Sequence, residues 1–144
     1  MKKLKYGFTL LEVLVVVMII SILATIVVVN VAGGTDEAKV AKAQADIRSI
    51  SAAMELYKLD NDLYPTTEQG LQALLEPSKA RPLPRKFKEG GYLQSRKFPV
   101  DPWKRQYIYL APGMTGKPYE LISYGADGEP GGDRYNTDIS CWDM

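Results

Sequence analysis

The residues with the clearest chemical potential lie near the C-terminus. Asp127-Gly128-Glu129-Pro130-Gly131-Gly132-Asp133-Arg134-Tyr135-Asn136-Thr137-Asp138 places four acids in a glycine-rich stretch. From Pro118 to Met144 there are six acids and one base, Arg134. Carboxylates and accessible backbone carbonyls suit a hard cation such as Ca²⁺, which takes about six to eight oxygens in flexible geometry. Counted as an EF-hand loop, Asp127, Gly132 and Asp138 fall at positions 1, 6 and 12. Glu129 and Gly131 do not suit positions 3 and 5, and strand-like sequence flanks the stretch, so an EF-hand is not expected. The residues alone leave two readings open, a solvated acidic loop and a cation-binding one.

A second carboxylate, Glu12, stands inside an apolar run. The chain of 144 residues has no histidine, which removes imidazole acid–base catalysis, Ser-His and Cys-His nucleophiles and most zinc sites. Its one cysteine, Cys141, has no partner for an internal disulfide and reads as a small packed residue or an adventitious thiol.

The elements that must position these groups follow from the apolar pattern. Residues 8–32 are apolar at 20 of 25 positions, and no charge occurs from Val13 to Val29. About 20 apolar residues are enough to cross a hydrocarbon core of about 30 Å. Lys2, Lys3 and Lys5 precede the run, so the N-terminus is expected on the cytoplasmic side and the remainder outside. The run is too long for a conventional secretory signal, and its far end is a poor cleavage site. An uncleaved anchor is one reading, but Glu12 argues against it. A charge within a membrane helix costs about 2.5–3.5 kcal/mol at the centre, less near an end, and by default wants a cationic partner.

Beyond Gly33-Gly34, where a flexible or melted turn is expected, Val40, Ala43, Ile47, Ile50, Met54 and Tyr57 recur at spacings of 3 and 4. That is one apolar stripe of a helix spanning 36–60, which should pack on a sheet. All nine prolines fall from Pro65 onward, so a loop-rich region follows. Thr66 to Gln69 has the spacing of a capping box for a short helix that ends before Pro77. Tyr107–Leu110 and Tyr119–Ile122 read as strands, with a third near Ile139–Trp142. The fold class is therefore α+β, a long N-terminal helix over a small antiparallel sheet. The connection 77–106 has nine Lys/Arg against two acids but no nucleic-acid module, and reads as a solvated face or a subunit contact.

Gly7-Phe8-Thr9-Leu10-Leu11-Glu12 resembles the type IV prepilin signal. The resemblance implies a leader at 1–7 that a prepilin peptidase removes between Gly7 and Phe8, with N-methylation of Phe8. It implies that 8–32 remains as the membrane and filament-core helix, and that Glu12 pairs with a neighbouring subunit's amine during assembly. Loss of the leader would take the side-chain charge from +1 to −2. Such proteins commonly carry a proline, preceded by a deeper glycine, in the span; Val29 and Ser21 stand there instead, which puts a kink at those points in question.

Further blocks narrow the resemblance. They are Tyr57-Lys58-Leu59-Asp60-Asn61, Tyr64-Pro65, Gly91-Tyr92-Leu93, Pro99-Val100-Asp101-Pro102-Trp103, Tyr109-Leu110-Ala111-Pro112-Gly113 and Gly125-Ala126-Asp127-Gly128. In this order they are similar to the major (G-type) pseudopilins of the type II secretion system, with the type IV pilin-like fold. The resemblance implies a non-enzymatic subunit with a periplasmic globular domain at 33–144. It also implies a homopolymeric pseudopilus that helps export folded proteins, with minor pseudopilins and an inner-membrane secretion platform as partners and no nucleic acid. It implies one structural Ca²⁺ ligated by Asp127, Asp138 and the Tyr124 carbonyl, with Asp133 as an extra ligand. A type IV pilus major pilin is the alternative; such pilins often close the C-terminal region with a disulfide, which a single cysteine cannot form. A membrane-anchored periplasmic enzyme finds no nucleophile elbow or catalytic carboxylate pair to support it.

Overall fold

The computed structural model describes residues 9–114 and 116–144, with side chains between 23 and 35 excluded. Gly7 and Phe8 lie outside the described residues. The chain divides into two compact units, with the boundary between Thr35 and Asp36.

The first unit contains the beginning of α1, which is assigned from Leu10 to Asn61. Val, Leu and Ile residues from 10 to 22 are exposed around the helix. Among the described residues no helix is long and apolar enough to cross a membrane. The apolar run continues in sequence beyond the last described side chain, Ile22. Ser21, at the position where the resemblance led one to look for a glycine, donates its hydroxyl to the Val17 carbonyl at 2.8 Å. The backbone is helical at Gly33 and Gly34, so the melted turn expected there does not interrupt α1.

The second unit is organised by the stripe. Ala43, Ile47, Ile50, Met54 and Tyr57 are buried, with Val40 partly so. They share one core with Leu71, Leu74, Tyr92, Tyr107, Tyr109, Tyr119, Leu121 and Ile139. Burying a large apolar side chain contributes about 1.5–3 kcal/mol, so this face holds the helix to the sheet. The sheet is antiparallel in the order β1 (Ile108–Leu110), β2 (Glu120–Ser123), β3 (Ile139–Ser140). Tyr109 faces Leu121 across the first pair, and Ser123 faces Ile139 across the second. The strands thus fall where the aromatic and β-branched runs predict.

α1 ends at Asn61, and Asp62 adopts the left-handed conformation, φ 65°. Carboxylates at a helix C-terminus meet the negative end of its dipole. The basic connection offsets this: Lys86 pairs with Asp60 at 3.4 Å, and Arg85 pairs with Asp62. The Tyr92 hydroxyl donates to Asp60 at 2.9 Å, while the Lys86 amide donates to the buried Asn61 side chain at 3.1 Å. Part of the positive charge in 77–106 therefore ties the connection to the end of α1.

The short helix expected after Thr66 is a correction. Both capping-box hydrogen bonds form, Thr66 N–H to Gln69 Oε1 at 2.9 Å and Gln69 N–H to Thr66 Oγ1 at 3.2 Å. The backbone then leaves helical space at Gly70 (φ 58°, ψ −168°), and only a 3-10 turn, Leu71–Leu74, follows. Gln69 Nε2 goes on to donate to the Ala80 and Pro82 carbonyls at 2.9 and 2.6 Å. A capping glutamate could not make those two donations.

Candidate functional site

Two places carry the sequence-derived candidates, the start of α1 and the loop after β2. At the first, Thr9 caps the helix: its hydroxyl accepts the Glu12 amide at 3.2 Å, and its carbonyl accepts the Val13 amide at 3.3 Å. Thr9-Leu10-Leu11-Glu12 thus has the Thr-x-x-Glu spacing of an N-terminal cap, a signal readable in the sequence and overlooked there. It gives Glu12 a local role, because a carboxylate in the first turn complements the positive end of the helix dipole. Glu12 is exposed, as are Leu10 and Leu11 on either side of the turn.

At the second place, β2 leads into Tyr124 and a turn in which the Gly128 amide donates to the Tyr124 carbonyl at 3.2 Å. The Ala126 amide donates to the Tyr135 carbonyl at 2.8 Å, bringing the two ends of the loop together. Gly125 permits this approach. It has φ 61°, and a Cβ there would stand 2.8 Å from the Asn136 and Tyr135 carbonyl oxygens. The far end closes through Asp138: its amide donates to the Gly131 carbonyl at 3.2 Å, and its Oδ2 accepts the Gly131 amide at 2.9 Å.

The carboxylates differ in their surroundings. Asp127 is exposed, and its Oδ1 accepts the Glu129 amide at 3.1 Å. Asp138 Oδ1 is buried and has no hydrogen-bond partner among the described residues. A buried oxygen of this kind costs about 1–3 kcal/mol unless something satisfies it, and a cation would do so. Asp133 is exposed and begins the 3-10 turn Arg134–Asn136. Among the described residues no three His, Cys, Asp or Glu side chains converge. The oxygens the loop could offer a cation are those of the Asp127 and Asp138 carboxylates and of backbone carbonyls such as that of Tyr124. That donor set is all oxygen, which fits Ca²⁺ and does not fit a soft metal.

Cys141 is half-buried against the core, and burial pushes its thiol up from the ordinary range. That environment is the opposite of what activates a thiolate.

One buried acid escaped the sequence reading. Asp101 is 4% exposed; its Oδ1 accepts the Trp103 and Arg105 amides at 3.0 and 2.8 Å, and its Oδ2 accepts the Ser123 hydroxyl at 3.1 Å. In the sequence it stands only as one of two acids in the basic connection and within the Pro99–Trp103 block.

Comparison with known proteins supplies the context. Residues 30–142 match the family model for protein G of the type II secretion system, and residues 2–28 match the prokaryotic N-terminal methylation motif. The type II secretion system core protein G of Pseudomonas aeruginosa is 50% identical over 95% of this chain and 94% of its own length. That of Vibrio cholerae is 46% identical over 100% of this chain and 97% of its own. A crystal structure of the major pseudopilin from the type 2 secretion system of enterohaemorrhagic Escherichia coli superposes with a TM-score of 0.66. It is 36% identical and covers 80% of this chain and 96% of that one.

Proposed function

The chain belongs to the type II secretion system protein G family, and on that premise we propose that it is the major pseudopilin, a structural subunit that polymerises into a periplasmic pseudopilus and helps export folded proteins. The observation that carries this reading is the exposed apolar surface of residues 10–22, on a helix that also belongs to a well-packed folded unit. Apolar on all sides, such a segment needs lipid or other helices around it. Polymerisation supplies the second.

In this reading 1–7 is removed, 8–32 spans the inner membrane before assembly, and 33–144 lies in the periplasm. Cleavage falls between Gly7 and Phe8. The methylated amine of Phe8 meets Glu12 of a neighbouring subunit, and pairing in an apolar setting offsets the cost of each charge. Minor pseudopilins and the inner-membrane platform are its partners. One structural Ca²⁺ binds Asp127, Asp138 and the Tyr124 carbonyl, with Asp133 as an extra ligand; the buried, unpartnered Asp138 oxygen supports this reading.

Intact mass should correspond to a chain beginning at N-methyl-Phe8; a retained leader would overturn the processing step. Glu12→Ala should leave melting of the folded unit unchanged while filaments fail to form, and normal filaments would refute the pairing role. Calcium should raise the melting midpoint of the wild type and leave that of Asp138→Ala unmoved. An equal rise in both removes Asp138 from the site, and no rise in either removes the metal from the reading.

A further inference from the structure

The turn that carries Tyr124 and Asp127 is held by a residue outside the loop. Residues 101–105 form a tight reversal beside the Val100–Gln106 bridge: the Asp101 amide donates to the Arg105 carbonyl at 2.7 Å, and the Lys104 amide returns to the Asp101 carbonyl at 2.9 Å. This places the Arg105 Nε 3.7 Å from the buried Asp101 carboxylate, while its Nη2 donates to the Gly125 carbonyl. The same guanidinium fills the space where a side chain at residue 128 would lie. A Cβ there would stand 2.5 Å from Nη1, 2.8 Å from Cζ and 3.1 Å from Nε. Trp103 flanks it, with Cζ 6.0 Å from the ring centroid.

A positive charge beside a cation loop would ordinarily oppose metal binding. Here Asp101 offsets that charge, so what remains is geometry: a planar fork fixed at one end by a carboxylate and at the other by a loop carbonyl. We propose that Arg105 is a metal-independent latch that sets the Tyr124–Gly128 turn, so that the Tyr124 carbonyl and the Asp127 carboxylate are in place before calcium arrives. It is a positioning residue, and the proposal rests on the calcium reading above. The Asp138 end then completes the site. Preorganisation raises apparent affinity by the factor by which the competent shape is populated.

The test uses the full processed chain in detergent, titrated with CaCl₂ by calorimetry, beside Arg105→Gln and Arg105→Lys. Lysine keeps the charge next to Asp101 but not the fork, and so protects the fold if glutamine does not. Both variants should bind calcium more weakly, about tenfold if the turn is competent only a tenth of the time without the latch. In chelator, exchange of the Gly128 amide, which is bonded to the Tyr124 carbonyl, should be faster in both variants than in the wild type. Unchanged or tighter calcium binding by Arg105→Gln would overturn the latch, since it would mean the arginine contributes only its charge. Unchanged Gly128 exchange would overturn it independently of any metal. If the wild type binds no calcium while Gly128 exchange still depends on Arg105, the calcium reading fails and the proposed purpose of the latch fails with it.

Discussion

Helix α1 contains two apolar regions built from the same residue types. From Leu10 to Ile22, Val, Leu and Ile point in every direction and are exposed; Leu10 is 85% exposed. From Val40 to Tyr57 the large apolar residues, apart from the exposed Leu56, keep to one face, and Ala43, Ile47, Met54 and Tyr57 have no exposed surface. The difference lies in the pattern rather than in hydrophobicity. A stripe is satisfied by one sheet within the same chain, whereas a helix apolar all round is satisfied only by an apolar solvent or by other helices. Folding stability therefore resides in the second region, and the proposed function assigns assembly to the first.

Substitutions can break that division. Met54→Ala should destabilise the folded unit by about 2–5 kcal/mol, because a buried side chain is lost and a cavity is left; thermal or denaturant melting measures it. Alkaline pH should act on the same region. Burial, reinforced by hydrogen bonds to Glu55 and Asp60 respectively, pushes the Tyr64 and Tyr92 hydroxyls up to about 12, and burial also raises Tyr107 and Tyr109. The folded state holds these protons more tightly than the unfolded chain. The stabilisation is thus complete below about pH 10 and is lost as pH climbs toward about 12. Tyrosinate absorbance should rise together with unfolding; ionisation that precedes unfolding would show the hydroxyls to be ordinary. Residues 10–22 contain no tyrosine and should contribute nothing to this transition.

Gln69→Ala should cost about 1–3 kcal/mol, since the Ala80 and Pro82 carbonyls lose their donor. Val17→Ala is the smallest effect on folding, under about 0.5 kcal/mol in the unassembled chain. Its filament yield should nevertheless fall, and filament yield that tracks melting stability across Met54→Ala and Val17→Ala would erase the distinction between the two regions.

What the residues revealed in advance follows the range of the interactions. The stripe from Val40 to Tyr57 and the three strands are local periodicities, and they stand where the pattern put them. The capping box at Thr66 and Gln69 is local too, and its hydrogen bonds were legible, but the fate of the helix turned on the Gly70 backbone. The Thr9–Glu12 cap is equally local, and its Thr-x-x-Glu spacing stands in the sequence. The pairing of Lys86 with Asp60 and the reach of Arg105 to Gly125 span 26 and 20 residues. No spacing rule announces such contacts; they depend on where the sheet brings the loops. For the same reason the acidic loop could be named from composition, while the isolation of one Asp138 oxygen could not.

The aromatic rings of the folded unit give it built-in optics. Phe87, Tyr92 and Tyr57 meet edge to face at 5.4 Å centroid spacings, and Tyr64, Tyr119 and Trp142 follow at 4.9 and 5.3 Å. Trp142, whose indole donates to the Tyr119 carbonyl at 2.8 Å, stands at the end of the second series. Because the indole packs on Tyr119 and bonds its carbonyl, its emission should shift when the C-terminal strand leaves the sheet. Trp103, beside the Arg105 guanidinium, is the other tryptophan of the chain. The protein therefore carries one indole at its sheet edge and another beside the arginine that reaches its acidic loop, and single-tryptophan variants would let each be read without any added dye.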